Sequence, residues 1–280
     1  MSQKTSTATF FRLSYFFVYS LPLLLVLLPA GCGSLPSGQK WGENATLLPG
    51  SERIASSAYN AMVNPSTWAP LAGAALFSID DFDEQLSDYA IEHNPLFGSV
   101  DDAADGSDKL RDSLIATVVL TSLATPSGDE SGEWITNKAK GLLVDYAAMR
   151  STSVVTSEIK SASKRERPNG SNDRSFPSGH SSSAFSAATL TSRNLDSLRL
   201  TDNQKTGIRI GLYTAASGTA WARIEAGMHY PSDVLAGAAL GNFMSNFIHD
   251  AFLGLDQNSV DVQVDAYPDY KMISIRWAFY

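Results

Sequence analysis

The chain opens on an apolar run over residues 13–28 (LSYFFVYSLPLLLVLL), preceded by Lys4 and Arg12, and then turns to mixed apolar and polar positions. A stretch rich in Gly, Ser and Pro over residues 33–38 reads as flexible tether, which we expect to extend to residue 50. Beyond it the apolar positions recur at helical spacing. Phe82, Leu86, Tyr89 and Ala90 share a helix face, Asp80 and Asp81 suit its first turn, and Pro95 marks its exit. A loop is expected over residues 98–106. Residues 107–124 predict a helix that closes at Pro126, and 133–160 a longer one. Residues 201–222 start with Thr-Asp and carry Gly207, Gly211, Ala215 and Gly218; such a stripe lets helices approach closely and predicts a place in the core of a bundle. A last helix is expected from Pro231, at its first position, to about Leu253. Then the period changes to two. Val260, Val262 and Val264 alternate with Asp261, Gln263 and Asp265, and Ile273, Ile275, Trp277 and Phe279 alternate again after a turn near Pro268. This predicts a β-hairpin over residues 258–280, lying as a flap on a helix face; the other reading is a membrane or dimer contact through Trp277, Phe279 and Tyr280. The fold class read from these patterns is an all-α bundle over residues 51–257 with a C-terminal hairpin.

Composition narrows the picture. With 280 residues, 44% of them hydrophobic, and a mean hydropathy of −0.09, the chain suits one globular domain better than a set of membrane-spanning helices. A net charge of −8 repels nucleic acid and anionic membrane surfaces at long range, so any anion site must be a local pocket. A single cysteine, Cys32, excludes an internal disulfide and a thiolate zinc site. Residues 1–31 have the layout of a secretory signal peptide: basic start, apolar run, small residues before the cleavage point. The Ala30-Gly31-Cys32 ending resembles the bacterial lipobox, although Pro29 stands where Leu is usual. That resemblance implies a lipid on Cys32 and a domain on the periplasmic side of the envelope. Gly33, which is not the Asp that commonly retains lipoproteins at the inner membrane, implies the outer membrane. The other reading is an uncleaved single-span anchor, and both put the domain outside the cytoplasm.

Three separated clusters hold the polar residues suited to a phosphate. The first is Lys160 with Arg167-Pro168, the second Pro177-Ser178-Gly179-His180, the third Arg223 with His229 and Asp233. In phosphoryl transfer the equatorial oxygens need fixed donors, which Lys160, Arg167 and Arg223 can supply, arginine adding a bidentate fork. If the helix over 133–160 continues, Arg167 lies two turns beyond Lys160 on nearly the same face. Ser178 and Gly179 come just before an apolar-periodic stretch, a predicted helix N-terminus whose backbone N–H groups favour an anion. His93 reads as a loop residue, and His249 as a charge near a helix end that complements the dipole.

In order and spacing the clusters resemble the three-part signature of the type 2 phosphatidic acid phosphatase superfamily, which includes class A acid phosphatases and vanadium haloperoxidases. The resemblance covers residues 160–233 and implies a helical bundle of that type. It also implies a metal-independent phosphatase acting on lipid phosphates or small phosphate esters. By the same resemblance His229 attacks phosphorus to form a phosphohistidine, Asp233 holds its far ring nitrogen, and His180 acts as general acid and then base. Lys160, Arg167, Ser178, Gly179 and Arg223 bind the phosphate. Ala222 stands where a Ser usually precedes the third-cluster Arg, which implies one supporting hydrogen bond fewer. No cofactor or metal is expected, because Lys and Arg occupy the places where a metal would neutralise phosphate. Two other readings stay open: a vanadium-dependent haloperoxidase, whose known relatives are generally longer chains, and a non-enzymatic envelope lipoprotein. The oligomeric state is not legible.

Overall fold

The computed structural model describes residues 35 and 38–255, together with the backbone of two strands at 261–266 and 271–276. Eight α-helices are described: α1 (Ser51–Val63), α2 (Pro65–Phe77), α3 (Phe82–His93), α4 (Val100–Ala124), α5 (Ser131–Ser163), α6 (Gly179–Asp196), α7 (Asp202–Glu225) and α8 (Pro231–Ile248). A π turn, His249–Leu253, prolongs α8 and ends at Gly254, whose φ of +74° suits glycine. Strands β1 (Asp261–Ala266) and β2 (Lys271–Arg276) pair antiparallel, Asp261 opposite Arg276 and Ala266 opposite Lys271. What their side chains cover lies outside the described residues, as do the signal segment and Cys32.

The bundle is organised around α6 and α8, which run side by side in the same direction. Ser181 Oγ donates to the Val234 carbonyl at 2.5 Å, and further along both helices Ser186 Oγ and Ser245 Oγ are 2.7 Å apart. Such proximity requires bare backbone. A Cβ on Gly237 would lie 2.6 Å from the Ser178 carbonyl oxygen, and one on Gly241 2.3 Å from that of Ser182. The helix glycines packed on backbone are therefore in α8; of the stripe expected in α7, Gly218 lies against Leu110 of α4, whereas Gly207 and Gly211 face open space and Leu212, Ala216 and Thr219 turn inward. Leu114 and Val118 of α4, Val144 and Ala148 of α5, and Ala184, Ala187 and Leu190 of α6 complete the core.

Three further expectations change. The loop over 98–106 is mostly helix: Ser99 caps α4 by accepting from the Asp102 amide, Asp101 and Asp102 favour the first turn, and Gly106 leaves room for the Phe97 ring. α5 ends at Ser163, with Lys164 left-handed at its cap, so Arg167 is in a loop. The tether docks well before residue 50. Trp41 is fully buried, its amide donates to the Pro126 carbonyl at 2.8 Å, and its indole fills the place where Gly141 has no side chain.

Candidate active site

Parallel packing of α6 and α8 puts two helix N-termini next to each other, and the last turns of α5 and α7 bring cations to the same end. Ser178 caps α6, with its Oγ accepting from the Ser181 amide; its own amide donates to the Asp233 carbonyl at 2.9 Å. Gly179 lies against Lys160, whose Cε would be 3.7 Å from a Cβ at that position. Lys160 Nζ donates to the carbonyls of Arg174 (2.7 Å) and Ser175 (3.2 Å). Burial first, and then the charges of Arg167 and Arg223 among others, push its ammonium down to about 8. Arg223 is buried, its Nη1 donates to Ser107 Oγ at 3.1 Å, and burial and Arg167 lower it to about 10, still cationic at neutral pH. Arg167 reaches in from its loop, with Nη1 2.9 Å from the thioether of Met228, a weak acceptor. The Nε groups of Arg167 and Arg223 are buried donors without an acceptor. Three cations held together against mutual repulsion, with spare donors, make an anion pocket.

His229 lies at the edge of this pocket, 2% exposed. Its Nδ1 is 3.8 Å from Asp233 Oδ2, about 1 Å beyond a normal hydrogen bond. Burial outweighs the help of Asp233 and moves the ring down to about 4, so His229 is neutral at pH 7, as a nucleophile must be. Asp233 is fully buried, yet its carboxyl is held below the ordinary range. Burial would raise it, but the neighbouring His229 ring, the Ser175 hydrogen bond and the charge of Arg165 win. Ser175 Oγ (2.5 Å) and the Tyr230 amide (2.9 Å) donate to Oδ2, and Arg165 Nη1 to Oδ1 at 2.9 Å. His180, in the first turn of α6, is half-buried; its Nε2 lies 2.7 Å from Asp108 Oδ1 and 2.6 Å from Arg111 Nη1. Burial and Arg223 push it down to about 4 against the opposing pull of Asp108.

The structure thus gathers Lys160, Arg167, Ser178, Gly179, His180, Arg223, His229 and Asp233 at one end of the bundle. Sequence reasoning missed their partners. Arg165 bridges Asp233 and the buried Asp83 of α3 (2.8 Å), lies over the Tyr230 ring and donates to Ser232 Oγ. Its signal was the crowding of two arginines into Arg165-Glu166-Arg167-Pro168; Asp83, Ser107, Asp108 and Arg111 gave none. Ala222 is fully buried. His93 is not in a loop but ends α3, stacked on Tyr89. His249 is no dipole-complementing charge: it is fully buried, accepts at Nδ1 from Arg193 Nε at 2.9 Å, and burial holds it neutral. Among the described residues no group of His, Cys, Asp and Glu is arranged to hold a metal ion.

Comparison with known proteins defines the class. The sequence profile of the PAP2 superfamily matches residues 144–254, which contain every phosphate-handling candidate named above. This part of the chain is a PAP2 superfamily domain. Among particular proteins, it is 40% identical over 77 residues to a lipid A 1-phosphatase of Porphyromonas gingivalis, a match covering 28% of this chain and 16% of that relative's length. The crystal structure of a transmembrane PAP2 type phosphatidylglycerolphosphate phosphatase from Bacillus subtilis shares the fold, with a TM-score of 0.52 and 20% identity, over 68% of this chain and 94% of the other. Among the described residues of the present chain, no helix is long and apolar enough to cross a membrane.

Proposed function

We propose that this protein is a phosphatase that cleaves phosphate mono- or diphosphate esters of lipids through a phosphohistidine on His229. The observation that carries the reading is the pocket itself: Lys160 and the spare buried donors of Arg167 and Arg223 converge between two helix N-termini beside a neutral, carboxylate-backed His229. Asp233 faces Nδ1, which leaves Nε2 as the attacking nitrogen. Its lone pair forms the N–P bond as the bond to the leaving oxygen breaks, and that oxygen takes a proton from His180. A water then attacks phosphorus, His180 recovers a proton from it, and the N–P electron pair returns to Nε2 as phosphate leaves. Because His229 must be neutral and His180 protonated, and burial lowers both rings to about 4, activity should be bell-shaped in pH with its optimum on the acid side of neutrality.

An apolar groove favours a lipid substrate. It is lined by Leu110 and Leu114 of α4, Leu195 of α6, and Ile208, Leu212 and Ala215 of α7, and it begins one helical turn from Ser107, the partner of Arg223. Thr117 and Thr191 hide their polarity by bonding to each other at 2.9 Å. This is the apolar helix face that the sequence did not reveal. Turnover of butyl, octyl and dodecyl phosphate in EDTA, alongside para-nitrophenyl phosphate, tests both parts. We expect kcat/KM to climb with chain length, by up to roughly fourfold per buried methylene, and His229→Ala to abolish every activity. A flat series would remove the lipid substrate, and an active His229→Ala protein would remove the phosphohistidine. We place the enzyme outside the cytoplasm, anchored by lipid on Cys32, on the strength of the apolar run and the Ala30-Gly31-Cys32 ending. Mass spectrometry of the mature N-terminus should find a lipidated Cys32; an N-terminus that begins at Met1 would refute the anchor.

A further inference from the structure

His180 has two neighbours that want opposite things from one atom. Its Nε2 is 2.7 Å from a carboxylate oxygen of Asp108 and 2.6 Å from a guanidinium nitrogen of Arg111. A ring nitrogen offers one hydrogen-bonding position: with its proton it donates to Asp108, and without it it can only accept from Arg111, which has no lone pair to give. Arg111 Nη2 also pairs with Asp108 at 3.1 Å and with Asp112 at 2.9 Å, so the guanidinium has carboxylates to satisfy it when Nε2 is protonated. Asp108 Oδ1 accepts from that ring N–H and from Arg111 Nη2 together. Nδ1 is then the nitrogen left to exchange a proton with a substrate.

We propose that Asp108 is the positioning residue of His180, holding the Nε2–H so that Nδ1 is the atom that gives and recovers the catalytic proton, and that Arg111 opposes it by stabilising the ring without a proton on Nε2. This rests on the phosphatase reading. In the first step the Nδ1–H proton passes to the leaving oxygen while Nε2–H stays on Asp108; in the second, Nδ1 takes a proton from the attacking water. The ring never needs to turn. The charged groups facing it are Asp108 and Arg111 from α4 and Arg223 from α7. Asp108 favours the imidazolium, whereas Arg111 and Arg223 disfavour it. The site therefore carries two carboxylate–histidine pairs, Asp233 with His229 and Asp108 with His180, in each of which the carboxylate favours the imidazolium.

The two neighbours have opposite signs, which makes the test sharp. General-acid activity is lost as pH rises through the pKa of His180. Asp108→Asn should move that alkaline limb to lower pH and reduce kcat on the order of 10²-fold, the contribution of a positioned general acid, while Arg111→Gln should move it to higher pH. Asp108 is exposed and Arg111 reaches solvent at its edge, and Gln keeps most of the length of the Arg111 side chain, so the fold should survive; circular dichroism checks this. An independent readout is the nitrogen NMR spectrum of the imidazoles, practicable with only four histidines in the chain. Neutral His180 should be the Nε2–H tautomer in the wild-type protein and should shift toward Nδ1–H in Asp108→Asn. Limbs that move in the same direction, or not at all, or a wild-type Nδ1–H tautomer, would overturn the proposal. If the wild-type protein is inert toward every phosphate ester, the phosphatase reading fails instead, and the NMR result still decides which nitrogen Asp108 holds.

Discussion

At the scale of single residues, the site separates cations that face an anion from one that serves the protein. Arg167 keeps a buried donor unused, whereas Arg165 spends its guanidinium on Asp83, Asp233 and Ser232. Both carboxylates are buried, so removing Arg165 strands two charges in a poorly hydrated place. Arg165→Ala should therefore cost about 3–5 kcal/mol of stability, the usual penalty for breaking a buried pair, and depress kcat by loosening Asp233. Lysine has a point charge and no fork, and cannot reach both carboxylates with good geometry. Arg165→Lys should recover only part of the loss. Arg167→Ala should weaken catalysis with little change in melting temperature. Thermal melts and steady-state kinetics on the three variants distinguish these outcomes. An Arg165→Ala protein as stable as wild type would show that the bridge does not hold Asp233.

At the scale of elements, the crossing of α6 and α8 is what brings Ser178–His180 beside His229 and Asp233. Gly241→Ala puts a methyl 2.3 Å from a carbonyl oxygen and 2.9 Å from the Ser186 amide nitrogen, both backbone atoms that cannot step aside. Overpacking of this kind costs about 1–3 kcal/mol, so a melting temperature roughly 4–10 °C lower is expected, with kcat reduced because the two N-termini are pried apart. Gly211→Ala, on the exposed side of α7 with nothing within 4 Å, should be neutral or slightly stabilising. This contrast shows why the sequence misled at the glycines: spacing reveals that small residues share a face, but not which face the bundle uses. Elements with local punctuation were legible, such as the N-termini of α6 and α8 at Ser178 and Pro231 and the last turns of α5 and α7. α2 was not, since it is apolar nearly all round and carries Pro65 and Pro70. Nor was Trp41, whose partners Pro126, Lys138 and Gly141 are remote in sequence. The three clusters of the site could be read because spacing within each is local. Arg165 with Asp83 and His180 with Asp108 could not, because these contacts span 82 and 72 residues of chain.

At the scale of the whole molecule, the buried titratable groups set the response to acid. His180 and His229 are lowered to about 4, and His249 is lowered well below its ordinary value, all chiefly by burial. Unfolded, each takes a proton near pH 6.5. The folded protein does not, so their contribution to stability is complete above pH 6.5 and is lost as pH falls from there toward 4. Asp145 works the other way. Burial raises it to about 6 against the hydrogen bonds it accepts from Ser122 and Asn194, so it favours the folded state at low pH and loses that advantage as pH rises from 3.8 to 6. Three groups oppose one, and a shift from 6.5 to about 4 is worth at most roughly 3 kcal/mol per histidine. The net result is acid destabilisation between pH 6.5 and 4. Melting temperature should thus be flat from pH 7 to 8 and fall by about 10 °C or more by pH 4.5. His249→Gln keeps an acceptor for Arg193 without a group to protonate, and should flatten part of that slope while leaving activity at pH 7 close to wild type. Asp145→Asn should steepen it, because it removes a buried carboxyl that binds a proton more tightly when folded. A melting temperature that rises on acidification would mean that relief of the −8 net charge outweighs the buried imidazoles, and His249→Gln would then leave the slope unchanged.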